Sequence, residues 1–329
     1  EPTNYLDVSH IDWLVEYLNN FEGAFLVVSH DYDFLGRITN CIIDIDFGTI
    51  TRYTGTLKQA LRQKAANRET YLKAYANQQR KIAKTEAYIR KNKAGTRAKS
   101  AKSREKQLAR MEVLTPPKNN RRAKFDFPYV ATASNLLLQT QDLVIGYDEA
   151  LVKTAFNFSV GGSEKVAITG FNGIGKTTLL KTLLGQLKPI YGNYELSVTA
   201  KLAYFKQDLT WPNNNMTPLQ YLQEEFERKK PKELRQALAK MGLTAQQAMS
   251  PLKELSGGEQ EKVKLAKMQF EPANLLFLDE PTNHLDNDTK DALRKAIVNF
   301  PGGVIIVSHE RDFFRGDWVD KTIDLEKLN

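Results

Sequence analysis

Cysteine is almost absent from this chain of 329 residues: Cys41 stands alone, which excludes an intrachain disulfide framework and fits a reducing compartment such as the cytoplasm. Long apolar runs are missing as well. No stretch approaches the ~18 consecutive apolar residues that a membrane-crossing helix needs, and no signal-peptide pattern opens the sequence, so a membrane role requires a separate partner. Acidic residues are scarce in one place only. From Lys58 to Lys124 there are 21 Lys and Arg against four Glu and no Asp, a net +17, while the remaining 26 basic and 35 acidic residues carry −9. The overall charge of +8 is thus the property of one segment. A charge run is usually a solvated helix face balanced by acids; unbalanced, its self-repulsion costs stability unless a polyanion compensates.

What is present first of all is a repeat. Glu-Pro-Thr-Asn-Tyr-Leu-Asp spans Glu1 to Asp7, and Glu-Pro-Thr-Asn-His-Leu-Asp spans Glu280 to Asp286; a Val-Ser-His ends at His30 after the first and at His309 after the second. Both glutamate-to-histidine intervals are 29 residues, which indicates two homologous domains in tandem, the first cut within a motif. The opening inside a motif, without Met, is expected to mark a fragment of a longer protein.

Three segments follow from the patterning. Residues 1–57 are expected to be the tail of an α/β domain, with a helix over Ile11–Asn19, a buried parallel strand over Ala24–Val28 and a hairpin of Cys41–Ile45 with Thr49–Tyr53 turned at Gly48. Residues 58–124 form a basic linker. There Leu61, Ala65, Leu72, Tyr75, Ile82 and Ile89 recur at helical steps, Asn92–Thr96 interrupts, and a second helix runs from about Arg97 to Leu114 before Pro116-Pro117, making an antiparallel hairpin. Residues 125–329 form a complete α/β domain, with strands expected over Leu136–Val144, Ala155–Val160, Lys165–Thr169, Leu275–Leu278 and Val304–Val307, a helix over Lys176–Leu187 and a mainly helical insertion over Pro212–Met249.

Gly170-Phe-Asn-Gly-Ile-Gly-Lys-Thr, between an expected strand and helix, fits a phosphate loop. Backbone N–H groups around Gly170, Asn172, Gly173 and Gly175 converge on phosphate oxygens, the helix start adds its positive end, Lys176 reaches the terminal phosphates, and Thr177 can hold Mg²⁺. A strand ending in Asp279-Glu280 supplies the other half: Asp279 for the magnesium shell, Glu280 to polarise an attacking water. Leu255-Ser256-Gly257-Gly258-Glu259-Gln260 is a second anion-binding corner ahead of a helix.

With these motifs the chain resembles the ATP-binding cassette (ABC) superfamily, whose signature loop clamps the γ-phosphate of a facing cassette. The resemblance implies an α/β fold: a P-loop ABC ATPase domain with a helical subdomain, an antiparallel α-helical hairpin linker and a partial α/β domain. It implies ATP and Mg²⁺ as ligands. It also implies that Thr178 closes the phosphate loop, that Gln207 is a magnesium-facing Q-loop residue, that Asn283–Asp286 is the interface D-loop, and that Tyr147 stacks on adenine. Catalytic roles fall to Glu280 and His309, and to Glu1 and His30 in the first copy. Lys262 departs from the family's usual arginine, keeping the charge without bidentate pairing.

Two cassettes without a membrane segment, joined by a basic hairpin, resemble the ABC-F subfamily of ribosome-associated ATPases. That resemblance sends the linker towards tRNA and the peptidyl-transferase region, with Arg90, Lys91, Lys93, Arg97, Lys99, Lys102 and Arg104 as the expected RNA contacts. Few aromatics interleave these charges, so backbone and shape contacts outrank base readout. Translation and antibiotic resistance are both compatible. The competing readings are a transporter ATPase, which leaves the hairpin without a task, and a DNA-binding paralogue in repair. Because the complete cassette lacks the facing signature, ATP binding with poor intramolecular hydrolysis is expected, unless a homodimer supplies it.

Overall fold

The computed structural model describes residues 2–3, 6, 8–29, 31–46, 48–116, 123–308, 310–314 and 316–328. Glu1, His30 and His309 lie outside these residues. The chain divides into two compact units, residues 18–21 with 31–119, and residues 1–17 with 22–30 and 120–329. Helix α1 (Val8–Asn19) begins the order of elements.

The unit centred on 31–119 starts with α2 (Tyr32–Ile38), which sequence periodicity did not reveal; Asp31 caps it by accepting from Phe34 N at 3.0 Å, and Phe34 is fully buried. Strands β1 (Cys41–Asp46) and β2 (Thr49–Thr54) form the expected antiparallel ribbon, Ile45 opposite Ile50. Helix α3 (Leu57–Lys91) then runs for 35 residues from a capping box in which Thr56 and Gln59 satisfy each other's backbone N–H groups. Lys64 ties it to Asp44 on β1 at 2.6 Å, and Asn67 donates to the Tyr53 hydroxyl at 3.2 Å. Asn92 closes the helix, its side chain donating to the Tyr88 carbonyl at 2.9 Å.

Helix α4 (Ala98–Ala109) returns antiparallel but ends short of the expected Leu114. The cause is a competing partner for the backbone. Gln78 of α3 donates to the Glu112 carbonyl and accepts from Leu114 N, both at 2.8 Å, and the Tyr71 hydroxyl donates to the Thr115 carbonyl at 2.9 Å. Residues 112–115 therefore satisfy their polar groups against side chains of α3 rather than within a helix.

In the other unit, the expected strand over Ala24–Val28 does not form. Leu26 and Val28 are 81% and 69% exposed, and the segment is irregular. A buried parallel strand needs neighbours on both edges, and among the described residues none pairs with it.

The cassette itself carries two sheets. In chain order come β3 (Leu136–Val144), β4 (Ser159–Gly161), β5 (Lys165–Thr169), α5 (Lys176–Leu183), β6 (Tyr191–Leu196), β7 (Leu202–Phe205), α6 (Pro218–Glu225), α7 (Pro231–Lys240), α8 (Gly257–Met268), β8 (Leu275–Asp279), α9 (Asn287–Asn299), β9 (Gly303–Val307) and β10 (Lys321–Asp324). Strands β10-β5-β9-β8-β7 lie in that order as a parallel sheet, and β4-β3-β6 form an antiparallel one. The strand expected at Ala155–Val160 shrinks to Ser159–Gly161, because Phe156 makes only an isolated bridge to Leu143. Helix α5 stops at Leu183 rather than Leu187: Gly185, at φ +74, takes the left-handed conformation that ends a helix.

The central parallel strands β8 and β9 read as continuous apolar runs because both of their faces are covered. Leu275 and Phe277 of β8, with Ile305 and Val307 of β9, enter the core between the sheets beside Leu179 and Leu183 of α5. Leu276, Leu278, Val304 and Ile306 enter the opposite core, with Leu234 and Leu238 of α7 and Val263 of α8. Each such buried side chain contributes ~2 kcal/mol of apolar transfer, enough to hold the ends of β5, β8 and β9 in fixed relation. Those ends carry the site.

Candidate nucleotide site

The loop from Gly170 to Gly175 joins β5 to α5, and its backbone can be built only from glycine at the critical points: Gly170 has φ +143, Gly173 +89 and Gly175 +114. A methyl group on Gly170 would stand 2.9 Å from Ile174. Lys176 opens α5 and folds over the loop, donating to the carbonyls of Gly170 and Phe171 at 2.7 and 3.2 Å and to Asn172 Oδ1 at 3.3 Å. Its Nζ is also 3.8 Å from a Glu280 carboxylate oxygen, with both side chains buried.

Asp279 ends β8 and is fully buried. Thr177 donates to its Oδ1 at 3.2 Å, and the Tyr204 hydroxyl lies 3.5 Å from Oδ2. Burial pushes the Asp279 carboxyl up to about 6; the Thr177 hydrogen bond opposes this and the nearby Glu280 charge adds to it. Tyr204 is pushed upward too, by its own burial and then by Asp279. A carboxylate held at such cost, next to a threonine hydroxyl, fits a divalent cation that would restore its charge. Among the described residues no cluster of three or more His, Cys, Asp and Glu forms an all-protein metal cage.

Beside these groups opens a cleft of about 280 Å³, bounded by Asn172, Gly173, Gly175, Lys176, Thr177, Thr178, Gln207, Glu280 and Asn283. The sequence motifs point to eight of the nine as nucleotide-site residues; they assign Asn283 to an interface, and they do not reach Tyr204, just behind Asp279. Its signal was slight: a phenol within a short apolar strand, three residues before Gln207. Tyr147 is exposed and does not border the cleft.

Ser256, Gly257, Gly258 and Glu259 stand elsewhere, at the start of α8. Ser256 accepts from Glu259 N at 3.4 Å and Glu259 from Ser256 N at 2.8 Å, a capping box, and Gln247 donates to the other Glu259 oxygen. Gly258 is pressed against the turn after Glu280: a Cβ there would lie 2.3 Å from the His284 carbonyl oxygen. Lys262 makes one contact to Asp286, at 3.2 Å, and Asp286 caps α9 by accepting from Thr289 N at 2.8 Å. Burial raises Asp286, but Lys262 and the Thr289 hydrogen bonds outweigh it and hold the carboxyl below its usual range.

In the hairpin, Arg90, Lys91, Lys93, Arg97, Lys99, Lys102 and Arg104 are all exposed. Arg104 lies over the Tyr88 ring at 3.9 Å, and Tyr88 reaches the Ser100 hydroxyl at 3.4 Å. No described helix is long and apolar enough to cross a membrane.

Comparison with known proteins agrees with this geometry. Residues 154–283 match a family model described as "ABC transporter", and residues 43–127 match a second model of the same description. The chain is 40% identical over 315 residues to the uncharacterized ABC transporter ATP-binding protein YfmM of Bacillus subtilis, covering 95% of this chain and 60% of that protein. It is 33% identical over 313 residues to ABC transporter F family member 4 of Dictyostelium discoideum, covering 94% of this chain and 27% of that one. The chain spans about half the length of most of the curated relatives it matches. A solved structure, a putative ABC transporter ATP-binding protein from Pyrococcus furiosus, superposes with a TM-score of 0.50 at 28% identity, over 58% of this chain and 98% of that one. Phosphate loop, acid pair and signature loop on this scaffold, together with the match over residues 154–283, show that the chain carries a domain of the ATP-binding cassette (ABC) family.

Proposed function

We propose that this chain acts as an ABC-F-type ATPase that binds ribosomes and uses ATP to time the engagement of its basic hairpin with RNA. At the nucleotide, backbone N–H groups of the loop and the start of α5 receive the phosphates, and Lys176 exchanges loop carbonyls for terminal phosphate oxygens. Thr177, Gln207 and Asp279 are the groups to hold Mg²⁺, whose charge favours phosphoryl transfer when it is bound. Glu280 accepts the proton of the attacking water as the terminal phosphoryl group passes in line to the water oxygen and ADP leaves. Ser256 and the N–H groups at the start of α8 lie outside this cleft, so they are suited to the nucleotide of a facing cassette. Tyr147 offers an open ring to adenine.

The observation that carries the ribosomal reading is the hairpin. Seven exposed cations, none in a salt bridge among the described residues, crowd a pair of thin helices in a chain that also holds the nucleotide cleft. A surface of this kind gains affinity by releasing counterions from a phosphate backbone. The kinship with a protein named ABC transporter F family member 4 supports the same reading. Sedimentation with ribosomes tests it: Glu280→Gln with ATP is expected to pellet with ribosomes at ~0.15 M salt, and reversing the charge of Lys91, Lys93, Arg97 and Lys99 to release it. Retention of the reversed variant, or preference for a permease or for branched DNA over ribosomes, overturns the proposal.

A further inference from the structure

Asn283 sits in the turn that follows Glu280, its backbone N–H donating to the Glu280 carbonyl at 3.3 Å. Thr282 fastens the same turn to Ser308, beyond the end of β9, through hydroxyls 3.3 Å apart. The turn is also strained, with Glu280 at φ +48 and His284 at φ +57, left-handed conformations that non-glycine residues hold only when their surroundings impose them. Within this fixed frame the Asn283 side chain is nine-tenths buried, borders the cleft with Lys176, Gln207 and Glu280, and its Nδ2 has no hydrogen-bond partner among the described residues. A buried amide donor left unsatisfied costs ~1–3 kcal/mol, and such a group calls for a ligand or a water as its partner.

We propose that Asn283 contacts nucleotide directly, its amide N–H donating to the terminal, γ, phosphate in the same cassette. This rests on the reading of the cleft as an ATP site and goes beyond it, because the D-loop resemblance places Asn283 at a contact between cassettes. The loop backbone and the start of α5 already supply donors for the inner phosphates, whereas Asn283 reaches the cleft through the turn anchored on Glu280, the side where the terminal phosphate meets the attacking water. There the phosphate oxygens face a carboxylate. A neutral donor relieves that repulsion without adding a charge that would draw Glu280 away from the water. It also makes the site sense whether the third phosphate is present, since ADP leaves the amide unpaired.

Equilibrium titration of wild type, Asn283→Ala and the isosteric Asn283→Asp with Mg²⁺ and either ADP or a non-hydrolysable β,γ-imido ATP analogue tests this. Loss of one hydrogen bond to a charged group corresponds to a ~10- to 100-fold weaker affinity for the analogue. The Asp variant should be weaker still, since it replaces the donor with an anion. ADP affinity should stay within about twofold in both variants, because no partner is lost. Thermal denaturation without nucleotide checks that each variant is folded, and the isosteric variant serves if the alanine one is not. Equal weakening of both nucleotides overturns the proposal, as does analogue affinity of the Asp variant at the wild-type level. So do unchanged affinities with weakened self-association, which move Asn283 to a cassette contact. Wild type that binds neither nucleotide refutes the ATP-site reading itself.

Discussion

Lys264 of α8 reaches back to Asp208, the residue after Gln207: its Nζ stands 3.4 Å from Oδ1 and 5.4 Å from the centre of the Trp211 ring. Trp211 in turn donates to Gln260 of α8 at 2.6 Å. The segment beyond Gln207 is therefore stapled to the helix that the signature loop begins.

The staple has unequal halves. Burial lowers the pKa of Lys264 more than Asp208 raises it, so its charge is held at a net cost; Asp208, raised by burial but more strongly lowered by Lys206 and Lys264, is held at a net gain. Lys264→Met, which keeps the stem over Trp211, is expected to leave the melting temperature unchanged or raise it, whereas Asp208→Ala lowers it by leaving a buried ammonium without its partner. Thermal denaturation of both variants and the double variant measures the difference, with a coupling of about 1 kcal/mol expected.

Lys176 holds three acceptors of its own loop. In Lys176→Ala, hydrogen exchange at residues 171–175 is expected to quicken and ATP affinity to fall about 10- to 100-fold, the loss of a charged hydrogen bond to phosphate. Exchange mass spectrometry and calorimetric titration check the two effects separately. Unchanged exchange with lost affinity would mean that the loop is rigid without its lysine.

Asp286 both caps α9 and accepts from Lys262. Its folded pKa lies below the ordinary 3.8, so its stabilisation is present above that pH and is lost as pH falls through the folded value. Asp286→Ala is expected to cost about 1 kcal/mol near neutrality, the value of a helix cap. The gap between variant and wild type should then narrow below pH 3.8, as urea titrations across pH can show.

Gln78 is a single side chain that satisfies two backbone groups of the returning strand of the hairpin. Gln78→Ala is expected to expose the Leu114 amide to exchange and to destabilise the hairpin by about 1–3 kcal/mol. Helicity of α3 should persist, because its backbone bonds do not involve Gln78; far-ultraviolet circular dichroism and amide exchange distinguish the two.

Legibility in the sequence followed burial. β8 and β9 could be read because both faces are apolar, giving Leu275–Leu278 and Val304–Val307 as unbroken runs. β10 could not: Lys321-Thr322-Ile323-Asp324 is short and polar at three of its four positions, and it becomes a strand only because β5 offers it an edge. β6, with Gly192 and Asn193 inside it, is hidden in the same way and exists through pairing with β3. The phosphate loop and acid pair were legible since their chemistry fixes residue types at fixed spacing. Tyr204 and Asn283 are not legible as cleft residues: the relation of Tyr204 to Asp279 is created by strand order, and the repeated Glu-Pro-Thr-Asn spacing fixes the place of Asn283 in the chain but not the turn that brings its side chain to the cleft. The end of α4 was misread since its terminator, Gln78, lies on another helix.

The close approach of Gly258 to the His284 carbonyl leaves no room for even a methyl group. The turn after Glu280 and the start of α8 are thereby interlocked like meshed teeth: a shift of the one must carry the other with it. On the proposed assignment of these loops to two facing nucleotides, the loss of a phosphate beside Glu280 is passed to the start of α8 by contact alone.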